Sequence, residues 1–146
     1  KAHTVKNNAP DNSLILGCDS TFEFEGKSLG KPGNKENAIT RCKQLSGKSG
    51  YLHTGHCLID LKQGIELSER STAKVEFAQM SDAEILDYVD SGEPLNVAGG
   101  FTLDGLSAPF ITNIEGDPSG IIGLSLPLLR KMIITLGYSW PDLKNK

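Results

Sequence analysis

The stretch GYLHTGHCLIDLKQGIELSERSTAKVEFAQ, Gly50 to Gln79, decides the fold class. Thr, Val, Ile and Phe recur in both of its halves, helix signals are missing, and the halves meet at Lys62, Gln63 and Gly64, where the chain can reverse. Two long strands so joined form an antiparallel hairpin. A hairpin excludes a purely parallel doubly wound sheet and favours an α/β fold with a mixed, elongated central sheet flanked by helices.

Upstream, SLILGC (Ser13 to Cys18) is an apolar run too short for a stable helix, and it ends on Asp19, Ser20 and Thr21. It predicts a buried strand that delivers Asp19 to its C-terminal edge. In KSLGKPGNK, glycines and Pro32 interrupt regular structure, so Lys31 is expected on a loop that can reach back over the strand end. Asn34 is the cap of a helix through NAITRCKQL, with Ala38, Ile39, Cys42 and Leu45 on one face and Gly47 as its stop.

Downstream, Ser81 and Glu84 form a capping box before Ile85, Leu86 and Val89. APFITNI predicts a further strand and EGDPSGIIG a glycine-rich turn. The last helix is expected from Ser125, with Leu126, Leu129, Met132, Ile133 and Leu136 inward and Gly137 as its end.

The 146 residues, 38% hydrophobic and 23% charged, fit one globular domain with a core. A formal net charge of -3 argues against a nucleic-acid coat, which needs a broad basic face, but leaves room for a small phosphorylated ligand. No apolar stretch approaches the roughly 20 residues of a bilayer span, and KAHTVKNNAPDNS lacks a signal peptide's apolar middle. A cytoplasmic protein without membrane partners is expected. Cys18, Cys42 and Cys57 show no paired C-x-x-C spacing and read as reduced, packing thiols.

Asp19 at a strand end can hold a divalent cation or accept a proton from an attacking water, although position alone does not distinguish it from a turn cap. Lys31, a dozen residues on, supplies the opposite charge that a metal-triphosphate needs. GKSLGKPG is not a P-loop: its second glycine comes one residue early, and Pro32 stands where the magnesium-binding hydroxyl belongs. GCDST lacks the second aspartate of aspartyl-phosphate phosphatases. His53 and Cys57 fall on one strand face and His56 on the other, so this trio reads as structural rather than zinc-binding. Glu115 and Asp117 read as turn builders.

In order along the chain, GCDST, LGKPGNKENA, HTGHCLI, STAKVEF, SGEPLNVAGGF and IEGDPSGIIGLSLPLL resemble the motifs of the Maf family of house-cleaning nucleotide pyrophosphatases, also known as septum formation proteins. The resemblance implies a single domain over residues 1–146, with a cleft and an architecture related to the inosine triphosphate pyrophosphatases. It implies cleavage of nucleoside triphosphates, pyrimidine or modified, including dTTP and UTP, to the monophosphate and pyrophosphate with Mg2+ or Mn2+. By motif, Asp19 is the metal ligand or general base, Lys31 neutralises phosphate charge, and Lys1, beside Ala2, is a further phosphate-contacting lysine.

Ser20 keeps the hydroxyl of the family's threonine as a phosphate contact, while Thr54 and Asp104 are the implied base or ribose contacts. Asp104 stands where many members carry glutamine, which exchanges a donor and acceptor for an acceptor alone. Members normally begin with a strand and a Ser-Pro-Arg-Arg loop. Neither precedes Lys1, so the chain is expected to be N-terminally incomplete. A homodimer is implied; the alternative function is a non-catalytic nucleotide-binding regulator of division.

Overall fold

The computed structural model describes residues 1–143. Its frame is a five-stranded sheet in the order β2-β1-β3-β4-β5, built from β1 (Leu14–Phe24), β2 (Lys27–Leu29), β3 (Ser49–Asp60), β4 (Ile65–Phe77) and β5 (Ile111–Glu115). The helices are α1 (Ala2–Lys6), α2 (Lys35–Leu45), α3 (Asp82–Asp90), α4 (Pro118–Ile122) and α5 (Leu126–Thr135), with short 3-10 turns between α3 and β5 and after α5.

The Gly50–Gln79 stretch forms the hairpin expected of it. Asp60 pairs with Ile65, and the carboxylate of Asp60 accepts the Gln63 amide hydrogen at 3.0 Å inside the turn, which fixes the register of the whole ladder. Asn34 caps α2 by accepting from the Asn37 amide, Ser81 and Glu84 close both halves of the capping box on α3, and Ser125 caps α5.

The α/β architecture agrees with the sequence, but every pairing among the described residues is antiparallel rather than mixed. The reason lies in β2. Glu25 and Gly26, both at positive φ, make a two-residue turn that reverses the chain before α2 begins. The α2 crossover therefore joins β2 to β3, which run in the same direction, yet β1 lies between them and the parallel relation never becomes a pair.

A second correction concerns Asp19. It lies in the middle of β1, paired with Gly55, not at a strand end. The strand continues because Thr21, Phe22 and Phe24 suit a pleated, half-buried surface, and Phe22 is fully enclosed by edge-on contacts with Phe77 and Phe101. Two short helices were also not expected. The proposed turn at Pro118–Ile122 is helical, with Asp117 accepting from the Ser119 and Gly120 amides and Pro118 at the first position; α1 occupies the polar N-terminal stretch.

Alternation along the strands divides the sheet. One face carries Phe22, Leu52, Leu58, Val75 and Phe77 against the main body of the protein, including Met132 and Ile133 of α5 and Leu136 at its C-cap. The other face is covered only in part by α1, whose Ala2 joins Ile15 and Ile59 in a small cluster. The rest of that face is open.

Candidate active site

The open face is polar because its strand positions are polar. β1 presents Gly17, Asp19, Thr21 and Glu23; β3 presents Tyr51, His53, Gly55 and Cys57; β4 presents Ser68, Arg70, Thr72 and Lys74. One row across the three central strands reads Asp19, Gly55, Arg70. Gly55 has no side chain, so the carboxylate and the guanidinium face each other across a gap, and a groove of about 560 Å³ opens there with Lys1, Gly17, Cys57 and Ser68 on its walls. A smaller hollow of about 320 Å³ adjoins it, lined by Asp19, Thr21, His53 and Arg70.

α1 places Lys1 over this row. A Cβ on Gly17 would lie 2.6 Å from the Ala2 amide nitrogen and 2.9 Å from the Ala2 Cβ, so only glycine lets the helix sit this close to β1. The Lys1 ammonium then donates to Asp19 Oδ1 at 2.9 Å. That hydrogen bond, with the charge of Lys1 and then the donation from the Ser20 amide, holds the Asp19 carboxyl below its ordinary range, so the group is a carboxylate at neutral pH. Both partners are well exposed, so the pair contributes little to stability and its members can re-partner with a ligand. Arg70 makes no ion pair among the described residues.

At the neighbouring row, His53 bridges Glu23 Oε2 through Nε2 and Thr72 Oγ1 through Nδ1, both at 2.8 Å. The opposite face is tied down by a different set. Thr54 donates its hydroxyl hydrogen to the Gly120 carbonyl and meets the Ser20 hydroxyl at 2.7 Å, while His56 Nε2 accepts from the Ser125 amide and its Nδ1 donates to the Thr54 carbonyl. These bonds seat α4 and the start of α5 on the sheet, and His56 is structural, as its strand parity implied.

The candidate residues from the sequence are thus dispersed. Lys1 and Asp19 are brought together. Ser20 points its hydroxyl away from Asp19, and Thr54, 1% exposed with its hydroxyl engaged, lies on the covered face. Lys31 is exposed on the loop after β2 and lines neither hollow. Asp104 accepts from the Thr102 hydroxyl in an exposed loop that Glu93 anchors, and it too lies off the groove walls. No sequence motif singles out Arg70. The hairpin could have revealed it: a turn centred on Lys62 and Gln63 places Arg70 opposite Gly55.

A divalent cation fits this groove in one way. Asp19 offers a single carboxylate, and no cluster of three His, Cys, Asp or Glu ligand atoms includes it among the described residues. That donor set suits Mg2+ or Mn2+ held by one carboxylate, water and phosphate oxygens, rather than a cage made by protein alone.

The family model described as "Maf-like protein" matches residues 1–136. This chain belongs to the Maf family. Curated Maf-like relatives include a protein from Thermosynechococcus vestitus named nucleoside triphosphate pyrophosphatase, 51% identical over 146 residues, which are all of this chain and 74% of the relative. One of the same name from Salinispora tropica is 50% identical over 124 residues, 85% of this chain and 55% of the relative. A third, from Bifidobacterium longum, is named a nucleoside triphosphate pyrophosphatase/Nudix hydrolase fusion protein and is 52% identical over 132 residues, 90% of this chain and 27% of the relative. The chain therefore spans between about a quarter and three quarters of these relatives' lengths.

Proposed function

We propose that this chain carries the phosphate-handling groove of a nucleoside triphosphate pyrophosphatase, which converts a nucleoside triphosphate to the monophosphate and pyrophosphate. The observation that carries the reading is the Asp19–Gly55–Arg70 row with Lys1 above it, in a chain whose relatives bear that enzyme's name. Lys1 exchanges its contact with Asp19 for a phosphate oxygen, and Arg70 offers its planar fork to another, so the two cations bracket the polyphosphate. Asp19, released from Lys1, faces the attacking water and accepts its proton as the new bond to the α-phosphorus forms and the bond to the bridging oxygen of the β-phosphate breaks. The departing pyrophosphate keeps the electron pair of that bond, and the cations offset its charge. Mg2+ or Mn2+ held by Asp19 would supply Lewis-acid stabilisation.

Lys31 belongs to this reading as a further phosphate-neutralising cation on its exposed loop, and UTP, dTTP and modified pyrimidine nucleotides are the proposed substrates. A cytoplasmic location, a role in septum formation and a homodimer complete it. No helix among the described residues is long and apolar enough to cross a membrane, and the exposed Ile122 at the end of α4 and Leu126 at the start of α5 support a self-association surface.

Product analysis with UTP and magnesium tests the proposal. UMP and pyrophosphate are expected in equal amounts, and orthophosphate as first product, or binding without turnover, contradicts it. Arg70→Ala should lower kcat/KM by about 10- to 100-fold, the loss of one charge-assisted contact of about 1.5–3 kcal/mol.

A further inference from the structure

At the end of the open face away from His53, α1 meets the sheet and brings together three side chains to which the proposed reaction gives no role, one of them, Cys57, on the groove wall. His3 comes from α1, Cys57 from β3 and Glu66 from β4, and their ligand atoms all lie within 4.8 Å of one another. His3 Nε2 is 3.2 Å from Glu66 Oε1, and Cys57 Sγ is 3.5 Å from the same oxygen. A tetrahedral zinc ion with one nitrogen, one oxygen and one sulfur ligand needs ligand-to-ligand edges of about 3.3–3.6 Å. Two edges are already near that length, and the third has to contract by no more than about 1.2 Å.

The chemistry of the set is as specific as its geometry. Imidazole and thiolate are borderline-to-soft ligands that favour zinc, cobalt or nickel over the hard magnesium suited to Asp19. A Cys57 thiolate and a Glu66 carboxylate together carry two negative charges, which neutralise a divalent ion without help from His3. The side chains of His3 and Glu66 are 63% and 43% exposed, so an ion can enter without unfolding the sheet.

We infer that His3, Cys57 and Glu66 form a zinc-class metal site, with water as fourth ligand, that staples α1 to the sheet. The Cys57 thiol loses its proton to solvent as the metal–sulfur bond forms, so binding releases a proton. His3 Nε2 supplies its lone pair, with the ring hydrogen on Nδ1. Because Lys1 is the N-cap of α1, occupancy fixes the helix that holds the ammonium above Asp19. The site is thus distinct from the magnesium of the proposed reaction and stands without it.

Titration with Co2+ tests this directly, since a thiolate ligand gives a sulfur-to-cobalt charge-transfer band and tetrahedral geometry gives strong visible bands. One equivalent of Co2+ should produce both, and Zn2+ should displace it. Cys57→Ser should abolish the charge-transfer band, while His3→Ala and Glu66→Gln should each weaken Co2+ binding at least tenfold. Zn2+ should raise Tm in the unaltered protein and much less in His3→Ala, a variant on an exposed side chain that leaves the fold intact. Absence of a charge-transfer band, a band that survives Cys57→Ser, or a Tm response unchanged by His3→Ala would each overturn the assignment. Loss of pyrophosphatase activity alone bears on the groove, not on this site.

Discussion

Gly17→Ala isolates the contact on which the groove depends. The added methyl would lie 2.6 Å from the Ala2 nitrogen, 2.9 Å from its Cβ and 3.1 Å from its Cα. Favourable contact between carbons begins near 3.5 Å, so α1 must retreat by roughly 0.5–1 Å. Overpacking of this kind costs about 1–3 kcal/mol, and the low end applies because α1 is short and only Ala2 of it is buried. The helix yields more readily than the strand. A retreat of about 1 Å stretches the 2.9 Å contact between Lys1 and Asp19 beyond hydrogen-bonding range. Misplacement on that scale costs on the order of 100-fold in rate.

The assay is kcat/KM for pyrophosphate release beside Tm, with Gly55→Ala as the steric comparison for Tm alone, because Gly55 lies in the groove. A methyl at Gly55 meets only the Asp19 carbonyl oxygen, at 3.8 Å, an ordinary contact that demands no shift of the backbone. Gly17→Ala is expected to lose about two orders of magnitude in kcat/KM while Tm falls by only a few degrees. Wild-type activity and Tm together in Gly17→Ala would refute the claim that this close approach positions Lys1.

Thr54→Val leaves the Gly120 carbonyl without its side-chain donor, and urea denaturation should show a loss of about 1–3 kcal/mol while KM for nucleotide stays unchanged; a raised KM at wild-type stability would return Thr54 to the ligand. Burial pushes the Asp60 carboxyl up, but donors from Tyr138 and Gln63 outweigh burial and hold it below its ordinary value. A carboxyl depressed in the folded state stabilises above its unfolded value and loses that contribution as pH falls through the folded value. The urea midpoint should therefore drop as pH falls below about 4, and Tyr138→Phe should make that drop shallower.

Much of the fold is legible where a local signal has a single physical outcome. The caps at Asn34, Ser81 and Ser125 satisfy helix amides, and Gly64 at positive φ lets the long hairpin turn. The sheet's direction was not legible, because the Glu25–Gly26 reversal sits inside what reads as a loop, and the order of strands is set by packing rather than by any local pattern. The same holds for Asp19. An apolar run followed by polar residues looks like a strand end, but alternation across an open face produces the same pattern when one side of the strand meets water.

The groove was half legible for a related reason. Sequence spacing joins Asp19 to Lys31, whereas the structure joins it to Lys1 through the Gly17 contact and to Arg70 through the two ladders. Ladder partners can be counted from a turn only when both registers are known. Period-2 arithmetic also separates Ser20 and Thr54 from Asp19, since adjacent strand positions face opposite ways. His3 escaped notice because its partners Cys57 and Glu66 lie over fifty residues away, on strands that α1 must cross.

The central claim is that the Asp19 carboxylate does chemistry rather than support the fold. Asp19→Asn keeps the shape, removes the charge and disturbs only an exposed ion pair, so Tm should stay within a degree or two. Pyrophosphate released from UTP with magnesium, measured against the unaltered protein, should fall by about 100-fold or more. Undiminished pyrophosphate release from folded Asp19→Asn would contradict it.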